Sequence, residues 1–275
     1  MNYLSSLILL APLAACSAAG TGGAVDPDAG GSGDGVGVDA STPVGPDLSC
    51  LSQPQPSPTT AVDPMVLAGR VVELTTAGVT AVDAADVALF RAGQPIVLAR
   101  TNSASNGAFA TGAVTTHGNA VHAYLKATKP GYRTAFYYPS SAFTANSTTL
   151  AVPMMSDSVF ATVKTLLGAT QNDARNGALL VGVLDCNGHP LTGMTLHVRR
   201  GMQSVGHAYD LGTVLPAATG VFIVFDVPDG KVRVSAMSQA TGEELPEHDV
   251  VVRASDPECP TSRGTLTSTI VEPSA

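Results

Sequence analysis

From Pro64 to its last residue the chain is written in short apolar runs rich in Val, Thr and Ala, most of them closed by a turn-former. Runs of that length, bounded by Gly, Pro, Asn or Asp, build β-strands joined by tight turns rather than helices. The pattern predicts strands over 65–74, 86–92, 95–101, 107–114, 120–128, 132–138 and 147–154. It predicts a second set over 178–185, 193–200, 205–214, 220–227, 231–238, 248–254 and 264–272. Ser105-Asn106-Gly107 and Lys129-Pro130-Gly131 supply turns between them. The two-residue period is plain in 120–128, where Val121, Ala123, Leu125 and Ala127 fall on one face and His122, Tyr124 and Lys126 on the other. The expected fold class is all-β: two tandem antiparallel seven-stranded β-sandwiches. A composition of 28 Gly and 19 Pro with 13 % charged residues suits many turns and few long helices.

One stretch breaks the pattern. Ser156-Asp157-Ser158 offers a helix N-cap with an acid in the first turn. Val159, Val163 and Leu166-Leu167 then recur at helical spacing before Gly168. A short amphipathic helix over 156–170 is expected to join the sandwiches and pack on one of them.

The two halves share spacings. Gly69 and Gly182 lie 113 residues apart, as do Gly107 and Gly220, and Phe109 and Phe222; Gly131 and Gly242 lie 111 apart. This reads as an internal duplication. The first half carries Gly69-Arg70-Val71, Val87-Ala88-Leu89, Thr101 ahead of Asn106-Gly107-Ala108-Phe109, and Gly131-Tyr132. The second carries Gly182-Val183, Asn187-Gly188-His189-Pro190, Met194-Thr195-Leu196 and Thr219-Gly220-Val221-Phe222. On these short motifs each half resembles a carboxypeptidase regulatory-like (transthyretin-like) domain. The second half has Gly242-Glu243 in place of Gly-Tyr, and the first lacks the Asn-Gly-x-Pro turn after its first strand. The resemblance implies a seven-stranded sandwich with a non-catalytic accessory role.

The N terminus sets the compartment. Residues 7–15, Leu-Ile-Leu-Leu-Ala-Pro-Leu-Ala-Ala, are too short to span a bilayer, which takes about 20 apolar residues, but fit the core of a signal peptide. Leu13-Ala14-Ala15-Cys16 follows, and resembles the lipobox of bacterial lipoproteins. The resemblance implies cleavage before Cys16, a lipid on its thiol, and, with Ser17 rather than Asp next in line, sorting to the outer membrane. Met1-Asn2-Tyr3 carries no Lys or Arg; either that charge is dispensable or translation starts upstream. The expected organisation is a signal peptide over 1–15, Cys16 with a disordered tether over 16–62, a first sandwich over 63–155, a linker helix over 156–175 and a second sandwich over 176–275.

The tether is the acidic part. Residues 1–69 hold six Asp and no Lys or Arg within a chain of net charge −8, so the body beyond is close to neutral. Nucleic-acid binding needs a basic footprint that is missing. Asp26 and Asp28 start like a calcium loop, but Gly30 and Gly37 stand where further ligands are needed. With Cys16 lipidated, Cys50, Cys186 and Cys259 remain, and export permits a disulfide. Cys186–Cys259 is the expected pair because both belong to the second half, with a bridge from Cys50 as its rival.

Catalytic and metal signatures are absent. There is no Gly-x-Ser-x-Gly, no His-Glu-x-x-His and no phosphate loop. Cys186, His189, Met194, His197, Met202 and His207 are soft-metal ligand types, but Met194 and His197 fall on opposite faces of a strand. No metal or cofactor is therefore expected. Phe136-Tyr137-Tyr138 is an aromatic cluster in a chain without Trp, a candidate ligand platform with Tyr137 on the opposite face from its neighbours. The expected function is a non-enzymatic envelope-anchored lipoprotein displaying sandwiches for protein or polysaccharide binding. A stand-off module without a ligand is the alternative, and a metal-binding or hydrolytic envelope protein ranks last.

Overall fold

The computed structural model describes Leu48, residues 59–253 and the strands over 255–256, 259–263 and 266–271, with side chains at 266–269 in the last of these. The first module holds β1 (Leu67–Thr75), β2 (Gly78–Ala81), β3 (Asp86–Arg91), β4 (Val97–Asn102), β5 (Ala108–Ala110), β6 (Ala123–Thr128), β7 (Ala135–Tyr138) and β8 (Ser147–Met154). Helix α1 (Asp157–Leu166) follows. The second module holds β9 (Asn176–Val183), β10 (Met194–Arg200), β11 (Gln203–Ser204), β12 (His207–Asp210), β13 (Val221–Pro228), β14 (Gly230–Ser238) and β15 (His248–Val252). It closes with β16 (Ser255–Asp256), β17 (Cys259–Arg263) and β18 (Leu266–Val271).

The all-β sandwich expectation holds, and the modules are built alike. In each, the first strand pairs in parallel with the last, β1 with β8 and β9 with β18. The opposing sheets run β4-β3-β6-β7 and β11-β10-β14-β15. The duplication extends to single hydrogen bonds. Val71 N–H donates to Gly107 C=O and Val183 N–H to Gly220 C=O, both at 2.8 Å. The carbonyls of Val71 and Val183 then accept from Val82 (3.0 Å) and Leu191 (2.8 Å). Gly107 and Gly220 have φ of 76° and 70°, and a Cβ on Gly107 would lie 2.5 Å from Val71 O. The Gly69–Gly182 match is one residue out of register. Gly69 pairs with Phe109, whereas Phe222 pairs with Val181. A one-residue shift reverses the face of a strand. Gly69 therefore stands in the inward row of Leu67 and Val71, where a Cβ would meet Leu150 O at 2.0 Å, and Gly182 stands in the opposite row.

The modules are not independent beads on a helical linker. One sheet of order β12-β13-β9-β18-β7-β6-β3-β4 runs through both. Its seam is β18, parallel to β9 on one side and to β7 on the other, with Leu266 beside Ala135 and Thr269 beside Tyr138. Strand pairing thus closes the β7 edge, which would otherwise offer unpaired backbone groups to any other chain.

Helix α1 locks the other side of the seam. Ser156 caps it by accepting from Val159 N–H, and Lys164 stands in its last turn. Phe160 and Val163 bury completely against Leu74 and Met155 of the first module and Ala178, Leu180, Ile223, Phe225 and Leu266 of the second. The Phe160 and Phe225 rings meet edge to face with centroids 5.4 Å apart. Arg133 completes the joint. Its Nη1 lies 2.9 Å from Asp173 Oδ1, its Nη2 donates to Asp173 Oδ2 at 2.9 Å, and its Nε lies 3.2 Å from Asp157 Oδ1. Its guanidinium carbon stacks 4.1 Å from the centre of the Phe160 ring.

The sequence pattern places most strands within a few residues of their positions and omits others. It omits β2, which returns from β1 through a turn at Thr76-Ala77, and the β16–β17 hairpin. The strand expected over 205–214 is split. The β12 ladder ends at Asp210, whose carboxylate accepts from Gly212 N–H at 2.8 Å and opens a single 3-10 turn over Leu211–Thr213.

Candidate functional site

The outer face of β10-β14-β15 carries a connected set of charged and hydroxyl side chains. Strand register sets His197 opposite Ser235, and Arg199 opposite Arg233, which stands opposite Asp249. Glu244, on the turn after β14, reaches over this face. Ser235 Oγ donates to Glu244 Oε1 at 2.7 Å, and His197 Nδ1 lies 3.6 Å from the same oxygen. The Ser235 hydrogen bond, aided by His197 and Arg199, holds the Glu244 carboxyl below its usual range against the opposing desolvation. Arg233 donates to Glu247 Oε2 at 2.7 Å, Arg199 Nη1 lies 3.7 Å from Glu247 Oε1, and Lys231 Nζ lies 2.6 Å from Asp249.

Ser235, His197 and Glu244 are the residue types of an acyl-transfer triad in the wrong order. The hydroxyl is spent on the carboxylate, and Ser235 is only 1 % exposed. Nucleophilic catalysis needs the base to face the nucleophile and the acid to face the base. The arrangement yields instead a fixed carboxylate among cations, suited to hydrogen-bonding a polar partner.

On the opposite, core-facing side of β10, a cleft of about 330 Å³ opens between the β10–β11 and β12–β13 edges. Leu196, Val198, Val205 and Val224 form its apolar walls, and Ser204, His207 and Tyr209 its polar ones. Gly206 is needed at the bend between β11 and β12. Its φ is 72°, and a Cβ there would meet Val224 Cγ1 at 2.7 Å. The size is at the lower end of small-ligand pockets.

The expected site residues are dispersed. Leu13, Ala14, Ala15, Cys16 and Cys50 lie outside the described residues. Cys186 sits in a turn whose Asp185 Oδ1 accepts from both Asn187 and His189 N–H at 2.8 Å, and it is disulfide-bonded to a cysteine whose side chain is outside the described set. Cys259 opens β17. The soft-metal types do not converge: Met194 is in the core, Met202 is 99 % exposed, and His197 faces outward. Among the described residues, no group of three or more His, Cys, Asp or Glu could hold a metal ion.

The aromatic run is no exposed platform. Tyr137 enters the first core, and Phe136 packs on the other face with Phe90 and Tyr124. Tyr138 stacks on Tyr124 with centroids 5.0 Å apart, and burial pushes its hydroxyl up to about 12 despite nearby Arg253. Sequence reasoning missed Glu244 and Ser235 because neither lies in a motif; strand register alone brings Ser235 to His197.

No protein-family model matches the chain, and no curated protein matches it significantly. Solved structures similar to it include the TIE protein of Bacillus anthracis (12 % identity, 76 % of this chain and 34 % of that one, TM-score 0.25). Others are the shaft pilin spaA of Lactobacillus rhamnosus GG (11 %, 77 % and 98 %, TM-score 0.23) and the minor pilin GBS52 of Streptococcus agalactiae (9 %, 76 % and 94 %, TM-score 0.25).

Proposed function

We propose that the chain is an exported, lipid-anchored and non-enzymatic envelope protein that presents its fused sandwiches to an envelope protein or polysaccharide. The observation that carries the reading is the apolar run 7–15 closed by Leu13-Ala14-Ala15-Cys16, ahead of a long stretch poor in large apolar side chains. Two or three acyl chains on Cys16 hold a protein at a membrane, since each buried methylene contributes about 0.8 kcal/mol. With Ser17 after the cysteine, the outer membrane is the proposed address. The contact surface is the polar face of β10-β14-β15, whose mixed charges suit a polar partner.

Detergent extraction and intact-mass measurement test the anchor. The expected mass is that of residues 16–275 plus lipid, and Cys16→Ser releases the protein to the soluble fraction. An unmodified chain beginning at Met1 overturns the reading. The continuous sheet favours a second reading, a stiff stand-off element without a ligand. Under that reading, replacing Arg199, Arg233 and Glu247 with Ala leaves sedimentation with isolated envelope polysaccharide unchanged.

A further inference from the structure

We infer that Cys186 is joined to Cys50, so that a disulfide fastens the N-terminal tether to the far end of the second module. The inference takes from the proposed function only the assignment of Cys16 to lipid. Cys186 is disulfide-bonded, and the chain has three other cysteines, Cys16, Cys50 and Cys259. The fold sets Cys259 at the wrong end. Strand β15 leaves the second module at Arg253, whose carbonyl lies 2.3 Å from where a Cβ on Gly177 would stand, and β18 re-enters with Leu266 beside Ala178. Both ends of the β16–β17 hairpin are therefore at the start of β9.

Cys259 pairs with Asp256, three residues beyond Arg253, so it stands within roughly 15 Å of Arg253. Cys186 lies beyond the other end of β9. Gly177 and Val183 alone are about 20 Å apart at strand rise, and Cys186 is three residues further. Disulfide Cα atoms approach within about 7 Å. To close the gap the hairpin would have to lie back along β9. Both edges of β9 are taken by β13 and β18, and its two faces by the second module's core and the α1 cluster.

Leu48 supplies the independent observation. It packs against the core cluster of the second module, whereas Thr60, twelve positions on, pairs with Asn119 in the first. Cys50 is two residues from Leu48, within about 7 Å. The chain therefore touches the second module at Leu48 and the first at Thr60.

Closure breaks the S–H bonds of Cys50 and Cys186 and forms one S–S bond. Two protons and two electrons pass to an external protein disulfide, which is reduced to its dithiol; such oxidants belong to exported compartments. The bond places the whole first module inside a covalent loop. Force applied to a membrane-held N terminus then enters at Cys186 and bypasses the first module.

The test is Asp-N digestion of the oxidised, alkylated full-length protein without reduction. Cleavage before Asp47 and Asp63, Asp185 and Asp210, and Asp256 puts Cys50, Cys186 and Cys259 in fragments 47–62, 185–209 and 256–275, and Cys16 in 1–25, or in 16–25 once the signal peptide is cut. The expected result is 47–62 linked to 185–209, with 256–275 alkylated. In Cys50→Ser, 185–209 becomes alkylated; in Cys259→Ser the link persists. A link from 185–209 to 256–275 or to 1–25, or an alkylated 185–209 in the parent, overturns the inference. The state of Cys16 in fragment 1–25 reports on the lipid anchor separately.

Discussion

Replacing Arg133 with Ala tests whether the two modules act as one body. The side chain is 12 % exposed, while its partners Asp157 and Asp173 are 65 % and 37 % exposed. Because both carboxylates can recover water, the loss falls short of the 3–5 kcal/mol typical of breaking a fully buried pair. A forked, charge-assisted pair of this exposure contributes about 1–2 kcal/mol. The stack on Phe160 adds about 1 kcal/mol, and burial of the aliphatic stem about 1–2 kcal/mol. Arg133→Ala should therefore cost about 3–5 kcal/mol in all, of which the ion pair is the smaller part. Arg133→Met, which keeps the stem against Phe160, should cost about half of that. The assay is urea unfolding followed by far-UV circular dichroism and by tyrosine fluorescence. Arg133 ties the β6–β7 connection to α1 and to the entry of β9, so the Ala variant should also lose coincidence of the two probes. A midpoint shift worth less than about 0.5 kcal/mol, with one coincident transition, would refute the assignment of Arg133 as the staple.

Three further outcomes are expected. Gly107→Ala should cost about 3 kcal/mol or more in thermal unfolding, because φ is 76° and the new Cβ meets Val71 O at 2.5 Å. Gly131→Ala, at φ 79° with open space around it, should cost only about 1–2 kcal/mol. Glu244 has a folded-state pKa below its unfolded one, so its contribution is present above the unfolded value of about 4.3 and is lost as pH falls through the folded value. Melting temperatures of the parent and Ser235→Ala should therefore differ at pH 7 and converge on acidification; a difference independent of pH would contradict the pairing. A fragment of residues 59–155 lacks β18 and exposes the β7 edge, so it should self-associate in light scattering, and a stable monomer would show that the seam is dispensable.

Much of the architecture was legible from period and turn chemistry. The strand over 147–154 coincides with β8, and Ser156 is the helix cap, because alternation and capping are local properties. The duplication was legible at Gly107 and Gly220, where a left-handed backbone demands glycine in both modules. Gly69 and Gly182 misled because each is a strand glycine with its own reason. Gly69 admits the Leu150 carbonyl, and Gly182 is not its counterpart. The polar face was illegible because Ser235 and His197 are 38 positions apart and meet only through β10–β14 register. The aromatic run could be assigned faces from alternation, but not burial, which depends on what packs over Phe136.

The shared sheet was beyond the reach of a strand-by-strand reading, and the reason lies in β18. Leu266-Thr267-Ser268-Thr269 has the alternating, half-polar look of an edge strand, yet Leu266 and Thr267 are fully buried and Ser268 and Thr269 nearly so. A strand with sheet neighbours on both sides needs little side-chain hydrophobicity to be buried, because its backbone is satisfied by two ladders. Small hydroxylated side chains also let two cores approach a common strand without bulky residues competing for the seam. Thr267 and Thr269 share a sheet face with Leu179 and Val181 of the second core on one side and with Phe136 and Tyr138 on the other. The corresponding strand of the first module, β8, presents Leu150, Val152 and Met154 to its own core and, among the described strands, pairs only with β1. The duplicated modules have thus diverged at their last strand, one closing its own sandwich and the other binding two together.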